Sequence, residues 1–437
     1  MQQSERFGSY IREVCGQIRW KKARALAAEE LEAHLEDQRD ALLAEGVPPE
    51  EAEERAVLEM GDGAAVGQAL DRVHRPRPQP LLLCLTGALL LLGMLGSILQ
   101  PEAGAGSLWQ YPAAAGVLLC FYFLDFTFLA KRPLLFYGLA AALTLLAFHL
   151  SADSGPFRFM KLGPLEVNLA VLSIPVPLAC ALLIYAMRRR GIRGILLCWA
   201  GFLPLLAVLC TSQPCAGAIS AFAVFLALLS FAVARDWFGV RRGQGFAAAL
   251  LPAAACGIAG GVFWVAEHRS LLDGWLHPGG AGSGYLFSVL RDVADKARFF
   301  GPGLPTERTE ALEAIAEPGL ELLPATLLYE YGWIFLLAVA ALLAAAAAAA
   351  VRRAVRQGSM LGSLVALSAV LGMVFQALFA LADILGFGLF DSTGMPFFTQ
   401  SSAVLLINAA VTGLLLSVFR SGSTFRDRKT AQQIWNR

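Results

Sequence analysis

The side chains that could do chemistry in this chain are the few charged ones that interrupt long apolar stretches. The longest polar interruption, 267–330, carries Glu267, His268, Arg269, Asp292, Asp295, Lys296, Arg298, Arg308 and Glu321. Asp383 sits near the end of an apolar run. An acid there is a functional candidate by default, the plainer reading being that it meets water at the end of its helix. Asp125, at the end of another run, reads as a partner for Lys131 or a cap for the loop that follows. Cysteine chemistry is not indicated. Cys84, Cys120, Cys180, Cys198, Cys210 and Cys256 lie in apolar runs, Cys15 is in the N-terminal segment, and no CxxC or Cys/His metal spacing occurs. Cys210 and Cys215 are near enough in sequence for a disulfide, but read better as two small buried residues.

The elements that must position these groups follow from composition. Only 16% of the 437 residues are charged, against about 25% in soluble domains. Sixteen acidic and eleven basic side chains fall within 1–80. The net charge of +1 says nothing about nucleic acid, and no lysine- or arginine-rich tract reads as a nucleic-acid arm, so no nucleic-acid partner is expected. The charged head reads as helices. Tyr10, Ile11, Val14 and Ile18 recur at helical spacing. Leu26, Leu31, Leu35, Leu42 and Leu43 belong to a second helix ended by Gly46. Pro48 and Pro49 open a third, whose early Glu50, Glu51, Glu53 and Glu54 suit the helix dipole, and Gly61 ends it. A short helix around Val66–Val73 follows. The glutamate-rich face reads as solvated. Residues 1–40 lack the apolar run of a signal peptide, so targeting falls to the first membrane helix.

A helix rising about 1.5 Å per residue needs about 20 apolar residues to cross about 30 Å of hydrocarbon. Ten runs qualify: 81–99, 111–130, 133–150, 169–187, 194–211, 216–234, 245–266, 331–351, 361–385 and 399–419. Pro175, Pro177, Pro204 and Pro252 are expected to bend their helices. Gly257, Gly260 and Gly261 suggest close packing in the seventh. Lysine and arginine alternate between loops: Lys131, Arg132, Arg188–Arg190, Arg193, Arg235, Arg241, Arg242, Arg352, Arg353, Arg356 and the tail fall on one side, while 100–110, 212–215 and 386–398 carry none. That asymmetry places head and tail in the cytoplasm and 267–330 outside. Within 267–330, Tyr285, Leu286, Val289, Leu290, Phe299 and Phe300 argue for docking onto the helices. The expected fold class is all-α: a polytopic membrane protein of about ten transmembrane helices with a small N-terminal helical cytoplasmic domain. The expected parts are a head 1–75, a proline-rich link 76–80, a membrane domain 81–420 and a tail 421–437.

Several segments then resemble a known family. These are "GPFRFMKLGPL" (155–165), "TSQPCAG" (211–217), "GSGYLFSVLRDVADKARFFGPGL" (282–304), "YEYGW" (329–333), "FQALFALADILG" (375–386) and "STGMPFFTQSSAVLLIN" (392–408). In that order they resemble the SEDS (shape, elongation, division and sporulation) membrane glycosyltransferases. "ELEAHLEDQ" (30–38) and "AVLEMGD" (56–62) resemble a permease prefix domain.

The resemblance implies polymerisation of lipid II at the outer membrane face, without a cofactor or metal, beside a class B penicillin-binding transpeptidase. Such chemistry needs a carboxylate base for the acceptor hydroxyl, cations for the leaving pyrophosphate and a greasy groove for the lipid tail. The family's catalytic aspartate lies eleven residues before the glycine matched by Gly332, which falls on Glu321. Glu321 is thus the implied catalytic residue, read otherwise as a solvated interfacial carboxylate. Arg158, Arg269, Lys296, Arg298 and Asp383 are the implied substrate contacts, the alternative for Arg158 being an interfacial anchor and for the loop cations an ordinary loop surface. The chain departs from the pattern: Phe159 replaces a Trp, Cys215 an acid, Val171 and Ile174 a Glu and a Lys, and Ala380 an Asn. Two other readings therefore stand beside the enzyme. One is a scaffold or regulator that binds lipid precursor. The other is a flippase, for which the fourth span offers no ionisable relay.

Overall fold

The computed structural model describes residues 5–74, 79–99, 108–154, 157–162, 165–211, 215–277, 283–306, 322–387 and 392–421. The chain divides into two compact units, a head up to Pro78 and a body spanning Gln79–Phe419.

The head contains α1 (Glu5–Gln17), α2 (Lys21–Ala44), α3 (Pro49–Met60) and α4 (Gly63–His74). Phe7, Tyr10, Ile11 and Val14 form the buried stripe of α1 and meet Leu31, Leu35 and Leu42 of α2 and Ala52 and Ala56 of α3. The 3.6-residue period of an amphipathic helix accounts for the choice of residues. Asp62 caps α4 by accepting from the Ala64 and Ala65 N–H groups at 3.4 and 3.1 Å. Gly67 lets α4 close on α1, since a Cβ there would lie 2.5 Å from the Val14 carbonyl oxygen. Leu43, by contrast, faces solvent.

The body begins with α5 (Pro80–Ile98), α6 (Gln110–Phe123), α7 (Phe128–Lys131) and α8 (Pro133–Leu150). After a small sheet come α9 (Val176–Met187), α10 (Gly191–Cys210), α11 (Ala216–Ala234) and α12 (Arg242–Glu267). Three short helices follow, α13 (Arg269–Leu276), α14 (Ser283–Lys296) and α15 (Leu323–Tyr331), and then α16 (Trp333–Val355), α17 (Met360–Ile384) and α18 (Ser402–Ser421). Among the described residues nine helical segments are long and apolar enough to cross a membrane. α9 is central, packing against α8, α10, α11 and α17. Leu91, Leu139, Leu251, Ile258 and Val262 point outward, as a surface solvated by lipid requires.

Two expectations need correction, and two details add to what was expected. The run 111–130 is not one helix. α6 has 14 residues, a rise of about 21 Å and short of a bilayer. The chain breaks at Leu124, where Asp125 turns its carboxylate onto the Thr127 N–H at 2.9 Å and so competes with the helix for backbone partners. The fourth run starts as a 3-10 turn, Leu169–Ser173, capped by the Asn168 side chain, and α9 begins only after Pro175. Gly257, Gly260 and Gly261 face open space rather than a neighbour. Finally, the loop before the fourth span is an antiparallel sheet: β1 (Ser151–Ser154), β2 (Phe157–Leu162) and β3 (Leu165–Asn168), in that spatial order.

Candidate functional site

The short helices form a layer at one end of the body. Val289, Leu290 and Val293 of α14 are buried with Ala325 of α15, and Leu286, Leu322 and Tyr329 pack around them. Tyr285, Phe299 and Phe300 stay exposed, so the expected docking holds for Leu286, Val289 and Leu290 only.

Backbone hydrogen bonds stitch this layer to the start of α16. The Trp333 and Ile334 N–H groups, which a helix start leaves without intrahelical partners, donate to the Arg298 and Phe299 carbonyls at 3.0 and 3.1 Å. Gly303 N–H donates to the Tyr329 carbonyl at 2.7 Å, and Leu304 N–H to that of Lys296 at 3.1 Å. Gly332 makes the junction possible. Its φ of +83° and ψ of −179° suit glycine alone, and a Cβ would lie 2.5 Å from the Arg298 oxygen. At the end of this short helix, burial raises the Tyr331 phenol above its ordinary value, and neighbouring Glu330 adds to the shift.

The end of α17 is fixed in a similar way. Asp383 is half-buried, and its carboxylate accepts from the Ser392 N–H at 2.6 Å. The segment that follows is an apolar wedge, with Met395, Phe397 and Phe398 buried. Gly93 of α5 lets Phe397 approach, because a Cβ there would strike its carbonyl oxygen.

The residues implied as functional do not converge as a set. Glu321 lies outside the described residues, as does Arg308; Leu322, next to Glu321 in sequence, packs against the α14 cluster. Arg158 stands on β2 with its guanidinium 4.4 Å from the Phe148 ring centre of α8, an arrangement that holds a cation on an aromatic face. Arg269, Lys296 and Arg298 have exposed side chains, and for Lys296 and Arg298 it is the backbone carbonyl that is engaged in the layer. Of the set, Asp383 is held by the Ser392 N–H and Arg158 by the Phe148 ring.

Arg291 is not among the residues that the sequence singles out. It lies four residues after buried Phe287, hence on the packed side of α14. Its Nε donates to the Gly386 carbonyl at 3.2 Å, and its guanidinium centre lies 6.0 Å from the Trp275 ring and 5.8 Å from the Phe387 ring. A cation at a core-side helical position was the available signal. A second cluster joins α11 and α12: Cys215 accepts from the Trp264 indole N–H at 3.2 Å and lies 4.0 Å from His268 Nε2. Cys210 and Cys215 are free thiols.

A cavity of about 180 Å³ opens between α5, α16, α17 and α18. Leu89, Ala347, Met373, Leu378, Phe397 and Leu415 line it. Thr86 and Thr412 are its polar members, and their hydroxyls donate to the Leu82 and Asn408 carbonyls in their own helices. The surface is therefore apolar and suited to a hydrocarbon chain.

Family models and curated sequences give no match to the chain. Solved structures do. A chain from a peptidoglycan synthase complex, described for its coordination of polymerization and crosslinking, aligns with a TM-score of 0.60 at 20% identity over 80% of this chain and 99% of that one. The rod-shape-determining protein RodA of Thermus thermophilus aligns with a TM-score of 0.53 at 18% identity over 80% of this chain and 98% of that one. A single-site variant of the same RodA gives 0.53 and 18%, again over 80% of this chain. The chain thus has a polytopic, helical membrane fold. More particularly that fold is the RodA fold, and the resemblance read from the sequence holds at this level.

Proposed function

We propose that this chain is a SEDS-type cell-wall glycosyltransferase, polymerising lipid II at the outer face of the plasma membrane. The observation that carries the reading is the RodA fold over 80% of the chain, together with a layer of short helices stitched to the start of α16. In this reading the layer faces outward, the head and tail lie in the cytoplasm, and the head is a prefix domain. Glu321 acts as the base that takes the acceptor hydroxyl proton, and Arg158, Arg269, Lys296 and Arg298 supply cations for the phosphates. The apolar cavity offers room for part of a polyprenyl tail. A class B penicillin-binding transpeptidase is the partner, consistent with a neighbour drawn from a peptidoglycan synthase complex.

The test is glycan formation from lipid II by the purified protein. Glu321→Ala is expected to slow it about 10²- to 10⁴-fold, the usual contribution of a general base. Polymerisation at the wild-type rate removes Glu321 from the mechanism.

One observation favours a non-catalytic reading. Val171 and Ala380, which stand where the family carries polar residues, are buried. A scaffold of this kind would bind lipid II yet form no glycan, even with the transpeptidase present.

A further inference from the structure

We propose that Arg291, Trp275 and Phe387 form a binding site for the phosphate group of a membrane lipid. Arg291 is held rather than free to wave. Its stem crosses Gly386, whose φ of +71° and missing side chain leave the space, since a Cβ there would collide with Arg291 Cγ. Its Nε is committed to the Gly386 carbonyl, and the Trp275 and Phe387 rings flank its guanidinium.

The rest of the donor set lacks acceptors. Among the described residues no hydrogen bond or ion pair engages the two terminal guanidinium nitrogens. Trp275 Nε1, a buried N–H donor, has no acceptor either. Leaving such a buried donor dry is costly, and the two terminal nitrogens of the neighbouring guanidinium keep four N–H groups to offer a ligand. The acids close by in sequence have donors elsewhere: Asp292 accepts from the Thr306 hydroxyl at 3.4 Å and Asp383 from the Ser392 N–H. A forked cation 6.0 Å from the ring of the indole that carries the unpaired N–H suits an anion with several acceptor oxygens in different directions, as a phosphate has.

Position selects a lipid over a soluble anion. The site lies where membrane-crossing α17 ends, the depth at which headgroups and aromatic side chains meet. Phe387, 58% exposed, is an aromatic side chain of the kind found at that boundary. Two lipids share the chemistry: an ordinary anionic phospholipid, and a polyprenyl pyrophosphate. Only the second alternative rests on the polymerase reading.

The test uses the full chain in maltoside micelles, titrated separately with polyprenyl pyrophosphate, phosphatidylglycerol and polyprenol, with bound lipid read by native mass spectrometry. Wild type is expected to prefer at least one phosphate lipid over polyprenol by about 10- to 100-fold. Arg291→Met is expected to abolish that preference. Trp275→Phe keeps an aromatic ring, removes the N–H and is expected to weaken the preference about tenfold, which separates loss of the site from misfolding. Dependence on Arg291 for phosphatidylglycerol alone assigns the site to bulk lipid, and for polyprenyl pyrophosphate to the substrate. Equal binding of all three lipids by wild type, or identical affinities in wild type and both variants, overturns the proposal. Polymerisation with Arg291-independent binding would sink this site and leave the enzyme. Arg291-dependent binding without polymer would do the reverse.

Discussion

The head and the short-helix layer of the body are both small helical assemblies around apolar cores, but they are held in different ways. In the head, helices that follow one another in sequence contribute a periodic stripe each, and Leu35 and Val14 at the centre are fully buried. In the layer, the apolar cluster is smaller, and backbone hydrogen bonds and glycines carry the geometry. Arg291 reaches Gly386 across 95 residues. The head is therefore specified by side-chain volume, and the layer by where the backbone is allowed to go. A layer of that kind can place donors without filling the space around them, which a site requires.

The comparison predicts where each unit breaks. Gly332→Ala should have the largest effect, about 3 kcal/mol or more, because it adds both a forbidden backbone conformation and a clash with the Arg298 carbonyl. Loss of thermal stability in detergent, with new protease cutting in 283–306, would show it. Wild-type stability would mean that the stitching is incidental. Leu35→Ala should cost about 2–5 kcal/mol, confined to the head: amide exchange should rise in α1–α3 and stay unchanged in α14–α16. Exchange that rises in both would abolish the contrast. Lys296→Ala should shift stability by less than about 0.5 kcal/mol, since its exposed side chain does no structural work that its carbonyl does not.

Much of the body was legible because a bilayer demands long apolar helices, and the runs can be counted. The exceptions are instructive. Asp125 was seen as a possible cap, but not that capping would cut the second span in two. The sheet at 151–168 was missed, although Gly155-Pro156 and Gly163-Pro164 bracket β2 as turn signals do. Gly257, Gly260 and Gly261 were read as a packing face, yet small residues do not say which way their face points. The resemblance singles out Arg269, Lys296 and Arg298 among the loop cations, and nothing local shows what Arg291 meets, because its partner Gly386 lies 95 residues away.

Sequence by itself determined that the chain crosses a membrane repeatedly and that a helical head precedes the spans. Both follow from local quantities, hydrophobicity and period, that need no partner. Tertiary structure decided which side chains lost water and which lost their hydrogen-bond partners. Those outcomes depend on groups brought together from distant segments, as when Gly386 admits Arg291, and no local pattern encodes the meeting.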